Sequence, residues 1–107
     1  MLIFELPELI SKRAERGDLY LQFLSDQNLS VGLYELKAGS IDPQKPHSED
    51  EVYYVVSGKS SIRVGNERSE VKPGSIVFVG AGVDHKFFDI REDLSIIVFF
   101  SPAHNPS

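Results

Sequence analysis

After Gly17 the sequence is a succession of short runs rich in β-branched and aromatic residues, and turn residues interrupt it about every 8–12 positions. Such spacing predicts about seven to nine short strands in an all-β sandwich or barrel. We expect the pair Ser57-Gly58 to end one strand and a tight loop to pair it with the next. The predicted strands are residues 19–24, 29–37, 51–56, 60–64, 76–79, 85–90 and 94–100.

The two ends of the chain differ from this pattern. Residues 2–4 could form a short strand, and Pro7 suits the first turn of a helix that we predict from Pro7 to Arg16. Gly17 is a natural helix stop. We therefore predict a single domain over residues 1–107, with an N-terminal arm and short helix (1–17), a β-barrel (18–101) and a loose tail (102–107).

Charge and composition exclude several classes of protein. The 107 residues have a formal net charge of −5, and such a balance argues against binding nucleic acid. The absence of cysteine excludes disulfides, thiolate metal sites and a cysteine nucleophile. No apolar run is long enough to span a membrane, and the N-terminus does not resemble a secretory signal, so we expect a cytoplasmic protein.

Two predicted strands are apolar on both faces, namely residues 52–56 and 96–100. A strand of a solitary sandwich is normally polar on its outer face. We therefore expect the second face to meet another copy of the chain in a homodimer. The alternative is that the helix or a neighbouring loop covers it.

Three side chains are candidate metal ligands. His47 and Glu51 are four residues apart at the start of an apolar run, and in an extended chain this even spacing places both on one face, with Tyr53 and Val55. A carboxylate there needs a partner, which a divalent ion, an arginine or a water-filled pocket would provide. His85 opens a later strand with Phe87 and Asp89 on its face. Two histidines and one carboxylate are the ligands of the facial triad, although such pairs also occur by chance.

The spacing around these residues resembles the two motifs of the cupin superfamily of small β-barrels. In the first block Gly39 is followed by five residues, Lys45-Pro46-His47, three residues, Glu51, six residues and Gly58. In the second block Gly74 is followed by five residues, Gly80-Ala81-Gly82, two residues, His85, three residues and Asp89. The resemblance implies a double-stranded β-helix, or jelly-roll, barrel.

The resemblance also implies that His47, Glu51 and His85 bind a divalent ion, which would be iron, manganese, nickel or zinc. Lys45 replaces the first motif histidine, and a protonated lysine has no lone pair for a metal. It either turns outward to solvent, points inward to hold an anionic substrate, or acts as a Schiff-base amine. Gln44 is a possible substitute oxygen ligand, although in a regular strand it would face the other way.

Other side chains complete the predicted site. His104 belongs to the tail, and we expect it to be exposed and without a role in metal binding. Core packing is the alternative explanation for most of the residues that we expect to line the pocket. These are Tyr34, Leu36, Tyr53, Val55, Phe87 and Phe99.

The resemblance extends to function, because the cupin family includes dioxygenases, isomerases and decarboxylases. We expect a metal-dependent enzyme that acts on a small molecule, with oxygenase chemistry slightly favoured by the triad. The alternative is a non-catalytic cupin that binds or senses a small molecule.

Overall fold

The computed structural model describes residues 1–105, which form one short helix and six strands. The described part of the chain contains no helix with the length and hydropathy that a bilayer-spanning segment needs. The elements are α1 (Leu6–Arg16), β1 (Tyr20–Ser25), β2 (Ser30–Leu36), β3 (Asp50–Val64), β4 (Glu67–Val71), β5 (Ile76–Val79) and β6 (His85–Ser101).

All strand pairs are antiparallel, in the order β1-β2-β6-β3-β4, and β5 also pairs with β3. The long strand β3 keeps β6 on one edge. On its other edge it pairs first with β5 (Glu51–Tyr54) and then with β4 (60–64). The buried apolar side chains of β2, β3 and β6 form the main core inside this sheet, which includes Tyr53, Val55, Ile96 and Val98.

The helix behaves as its sequence predicts. It begins one residue before Pro7, and Gly17 follows its last residue. Gly17 has a φ of 78°, and its amide donates a hydrogen bond to the Arg13 carbonyl, which ends the helix. Leu9 packs with Leu21 and Leu33 in a second, smaller core on the outer face of the sheet. The helix therefore covers part of the second apolar face, for which the sequence analysis had offered either another copy of the chain or the helix or a loop as cover. Residues 2–4, by contrast, form no strand and are exposed.

The predicted hairpin between residues 51–56 and 60–64 is wrong, because both segments belong to the continuous strand β3. Gly58 has a φ of 97°, and the pairing with β6 shifts register on both sides of it, so the chain bulges and bends without reversing. Residues 60–64 instead pair with β4, a mostly exposed strand that the periodicity did not reveal.

A second merger occurs in β6, which unites the two strands predicted at residues 85–90 and 94–100. Asp89 lies inside it with a φ of 50°, and this residue shifts the inward face from odd to even positions. Asp89 is consequently exposed, although the sequence placed it on the face of His85.

Candidate functional site

The roll of the sheet brings together the three predicted ligands. His85 begins β6 and pairs with Val64 at the far end of β3, whereas Glu51 lies near the start of β3. Nevertheless Glu51 Oε1 lies 2.8 Å from His85 Nε2 and 4.0 Å from His47 Nε2. The sheet must therefore curl far enough for the two ends of β3 to meet at one site.

His47 lies in the loop before β3 and not in an extended strand, so strand periodicity is not what orients it. The β5–β6 loop anchors this segment instead. The Gly82 amide donates to the His47 carbonyl at 2.6 Å, and the Ala81 amide donates to Asp50 Oδ1 at 2.8 Å. Backbone contacts between the two motif segments thus place the imidazole of His47 beside Glu51.

The donor set of the site fits a cation. His85 Nδ1 lies 2.8 Å from the Val83 carbonyl, which can only accept, so the neutral ring carries its proton on Nδ1 and presents the Nε2 lone pair to Glu51. Both oxygens of Glu51 are buried, and no donor among the described residues reaches either with hydrogen-bond geometry. In the neutral form of His85 a lone pair therefore faces a carboxylate, and a divalent ion between them stabilises this arrangement.

The imidazoles of this site have different electrostatic surroundings. Burial lowers the pKa of His47 and the neighbouring His104 and His85 add to this effect, although Glu51 opposes it. Burial also lowers the pKa of His85, but the adjacent carboxylate of Glu51 and the carbonyl of Val83 outweigh it and leave this pKa raised. The carboxylate of Glu51 therefore favours positive charge beside both imidazoles, and a bound divalent ion would supply that charge.

Gln44 points into the site, contrary to what a regular strand would give, because its loop is irregular. Its Nε2 donates to Asp42 Oδ2 at 2.6 Å, so its Oε1 faces the interior, 3.2 Å from His85 Nε2. That oxygen also accepts a hydrogen bond from Tyr53 at 2.9 Å. Lys45 is exposed and does not line the cavity, so the outward orientation is the one observed.

Asp42, which the sequence analysis missed, is the buried anchor of this arrangement. Besides Gln44 Nε2 it accepts hydrogen bonds from the Tyr34 hydroxyl at 2.6 Å and the Phe87 amide at 3.0 Å. A carboxylate needs such donors when it is buried. The only available signal was the Asp42-Pro43 pair, which is typical of a turn.

A cavity of about 180 Å³ is lined by two of the candidate ligands, His47 and Glu51, and by Gln44, whose Oε1 lies 3.2 Å from Nε2 of the third candidate, His85. Of the residues predicted to line it, Tyr34 and Tyr53 do so, whereas Leu36, Val55 and Phe87 are buried in the core without lining it. The prediction for Phe99 is wrong. The shift of face at Asp89 turns Phe99 outward, 38% exposed, and places Phe100 in the wall.

His104 was predicted to be exposed, and this too is wrong. It lines the cavity, its ring stacks on Phe100 with 4.4 Å between centroids, and its amide donates to Ser30. Its Nδ1 lies 2.7 Å from Glu49 Oε1. The tail is therefore held at His104, and residues 106–107 lie outside the described part. His47, Glu49 and His104 also lie close enough together to hold an ion, nearer the surface than the first set.

Comparison with known proteins agrees with the fold. The cupin domain family matches residues 32–100. An "uncharacterized protein" of Streptomyces coelicolor is 56% identical over 105 residues, which are 98% of this chain and 100% of that protein. Acireductone dioxygenase 3 of Arabidopsis thaliana is 31% identical over 90 residues, which cover 78% of this chain and 45% of the dioxygenase.

Solved structures support the fold. An RmlC-like cupin of Methanocaldococcus jannaschii with a double-stranded β-helix fold has a TM-score of 0.71 and 16% identity, covering 78% of this chain and 79% of that one. At this level of identity the similarity concerns the fold alone. The predicted jelly-roll fold and the resemblance to the cupins are both confirmed.

Proposed function

The chain belongs to the cupin family, and we propose that it is a metal-dependent enzyme acting on a small molecule, with His47, Glu51 and His85 as ligands of one divalent ion. The observation that carries the proposal is the buried carboxylate of Glu51. Its oxygens have no hydrogen-bond partner among the described residues, and its Oε1 lies 2.8 Å from His85 Nε2 and 4.0 Å from His47 Nε2. Removing a carboxylate from water without a partner is costly, and the cavity beside it leaves room for both an ion and a ligand.

Gln44 Oε1 is the candidate for a fourth ligand in place of the motif histidine. Ligand atoms held about 2.1 Å from one ion in neighbouring positions lie about 3 Å apart. The 3.2 Å between Gln44 Oε1 and His85 Nε2 matches this separation. Asp42 would then act as a positioning residue, since it fixes which end of the Gln44 amide faces the ion.

Oxygenase chemistry is the reaction class that we favour. Two imidazoles and one carboxylate leave coordination positions open, and a bound iron or similar ion supplies Lewis acidity and the activation of dioxygen. The match to an acireductone dioxygenase supports the same class, although this chain spans less than half the length of that relative. The substrate would lie against a wall of the cavity that is formed by Tyr34, Val98 and Phe100. These side chains shield the site from water.

The first test is metal content together with dioxygen uptake. Protein purified after incubation with iron, manganese, nickel or zinc is expected to retain one ion per chain, measured by elemental analysis. We expect the iron-loaded protein to consume dioxygen with at least one member of a panel of diketones, phenols and thiols. Bound metal with ligand binding but no turnover would favour the alternative of a non-catalytic binding module. Failure to retain any of the four metals would contradict the proposal.

We also propose that the chain forms a homodimer through the outer face of β3, β5 and β6. In the register of these strands Val52 lies between Phe78 and Phe99, while Ile76 is paired with Tyr54. Phe78 and Ile76 are 64% and 71% exposed, so this face leaves a continuous apolar patch in water.

The dimer is expected to survive dilution to micromolar concentration in sedimentation velocity. Phe78→Glu should shift the chain to a monomer, because a charge at the centre of an apolar interface is left without water or a partner. Lys59→Glu, at an exposed position of β3, is the matched control and should leave the dimer intact. A wild-type chain that sediments as a monomer would contradict this proposal.

A further inference from the structure

Three tyrosines line the cavity, and only one of them has an uncommitted hydroxyl. Tyr34 donates to Asp42 Oδ1 at 2.6 Å, and Tyr53 donates to Gln44 Oε1 at 2.9 Å. The hydroxyl oxygen of Tyr20 is buried and has no hydrogen-bond partner among the described residues. A buried hydroxyl without a partner destabilises a fold, so this group needs an acceptor that residues 1–105 do not supply.

The strand beside Tyr20 is shaped to receive its ring. A Cβ on Gly32 of β2 would lie 2.2–2.3 Å from Cζ, Cε1 and the hydroxyl oxygen of Tyr20. Gly32 needs no glycine-specific backbone conformation, and glycine in a strand interior weakens the strand. The glycine therefore provides the space in which the phenol end of Tyr20 lies. Edge-to-face contacts with Tyr34 and Phe100, at 6.4 and 6.2 Å between centroids, hold the ring on its other sides.

The charges around the cavity restrict what such a hydroxyl can meet. No lysine or arginine is among the described residues that line the cavity, and Lys45 is exposed. A divalent ion with one carboxylate ligand, Glu51, carries a net charge of about +1, because the histidines and Gln44 contribute none. The buried carboxylate of Asp42, behind Gln44, adds a further negative charge close to the cavity and disfavours anionic ligands still more. One negative charge on the ligand neutralises the site, and a second would be buried without a counter-ion.

We propose that Tyr20 is the hydrogen-bond donor for a ligand in this cavity, and that the ligand is a small, oxygen-bearing molecule with no more than one negative charge and no phosphate group. The inference rests on the proposed metal site, since the ion provides the positive charge. Tyr20 is then a specificity-determining residue that contacts the ligand and does not bind the metal.

The test uses full-length protein loaded with Co²⁺, whose visible absorption reports both metal occupancy and ligand binding. Glycerate and 3-phosphoglycerate are the probes, because they share an α-hydroxy acid and differ by a phosphate. We expect glycerate to bind, Tyr20→Phe to weaken it by about tenfold, and the Co²⁺ affinity to stay within twofold. Wild type should bind 3-phosphoglycerate at least tenfold more weakly than glycerate.

Tyr54→Phe is the matched control, because this tyrosine of β3 is 42% exposed and does not line the cavity. It should change glycerate affinity by less than threefold. Tyr20→Phe should leave the thermal midpoint unchanged or raise it, because it removes a buried hydroxyl that has no partner among the described residues. Equal glycerate affinity in wild type and Tyr20→Phe, or equal binding of the two probes, would overturn the inference while leaving the metal site standing. Absence of Co²⁺ binding by wild type would instead mark failure of the proposed function.

Discussion

Replacing His47 by alanine is expected to weaken divalent-metal binding by about 100-fold or more and to leave the metal-free fold nearly as stable as wild type. The imidazole is one of three candidate ligands, so the metal loses a direct bond. The side chain lies in a loop at the mouth of the cavity and is 19% exposed, so its removal leaves a gap that water can fill. We expect a change of about 1 kcal/mol or less in the metal-free unfolding free energy.

Competition with a chromogenic chelator measures the metal affinity, and urea unfolding after dialysis against a chelator measures the stability. His104→Ala is the matched control, because that ring lies 5.0 Å from the His47 ring between centroids and is 18% exposed. The control should keep metal affinity within about threefold of wild type, since His104 belongs only to the outer set with Glu49. Full metal affinity in His47→Ala, or its loss in His104→Ala, would contradict the assignment of the inner set.

Gly58→Ala is expected to destabilise the protein by about 4 kcal/mol or more, the largest loss that we predict for a single methyl group. At a φ of 97°, a side chain strains the backbone. The added Cβ would also lie 2.3 Å from the Asp93 carbonyl oxygen and 2.8 Å from Leu94 Cα. Both neighbours are backbone atoms of β6, the strand paired with β3 through the bulge, so neither can move without disrupting this pairing.

Gly74→Ala provides the control, because its φ of 93° is nearly the same and nothing lies within 4 Å of the added Cβ. That variant should lose only the cost of the backbone conformation, about 1–2 kcal/mol. Urea unfolding of the two variants against wild type separates steric clash from conformational strain. Similar losses of stability in the two variants would contradict this prediction. They would show that the backbone of β6 moves to accommodate the methyl group at Gly58 and that the bulge is not rigid.

Local patterns in the sequence predict much of this fold, and they fail where one residue changes the direction of the chain. The pattern of buried residues in β3 follows odd positions through Val55 and even positions after Gly58. Strict alternation carried through such a point places every later side chain on the wrong face. The wrong prediction for Phe99 has this origin at Asp89, where a non-glycine residue with positive φ gives no clear signal in the sequence.

The candidate site likewise contains residues that the sequence predicts and residues that it does not. His47, Glu51 and His85 could be found from motif spacing, because the spacing reflects turns that the fold requires. Gln44 could be named only as a possible ligand, because the neighbouring Asp42 that orients its amide is itself held by residues of β2 and β6. Tyr20 was not predicted to belong to the site, because its position depends on the space that Gly32 of another strand provides. The position of His104 depends on where β6 ends relative to β2. The proline-rich composition of the tail does not reveal this.

The position of a bound ion tests the central claim most directly. A crystal of the wild-type chain grown with excess Co²⁺, measured on both sides of the cobalt absorption edge, gives an anomalous difference map that locates the metal. We predict one strong peak per chain, at about 2.1 Å from a ring nitrogen of His47 and His85 and from a carboxylate oxygen of Glu51. A map with its strongest peak at Glu49 and His104, or with no peak in the cavity, would contradict the account.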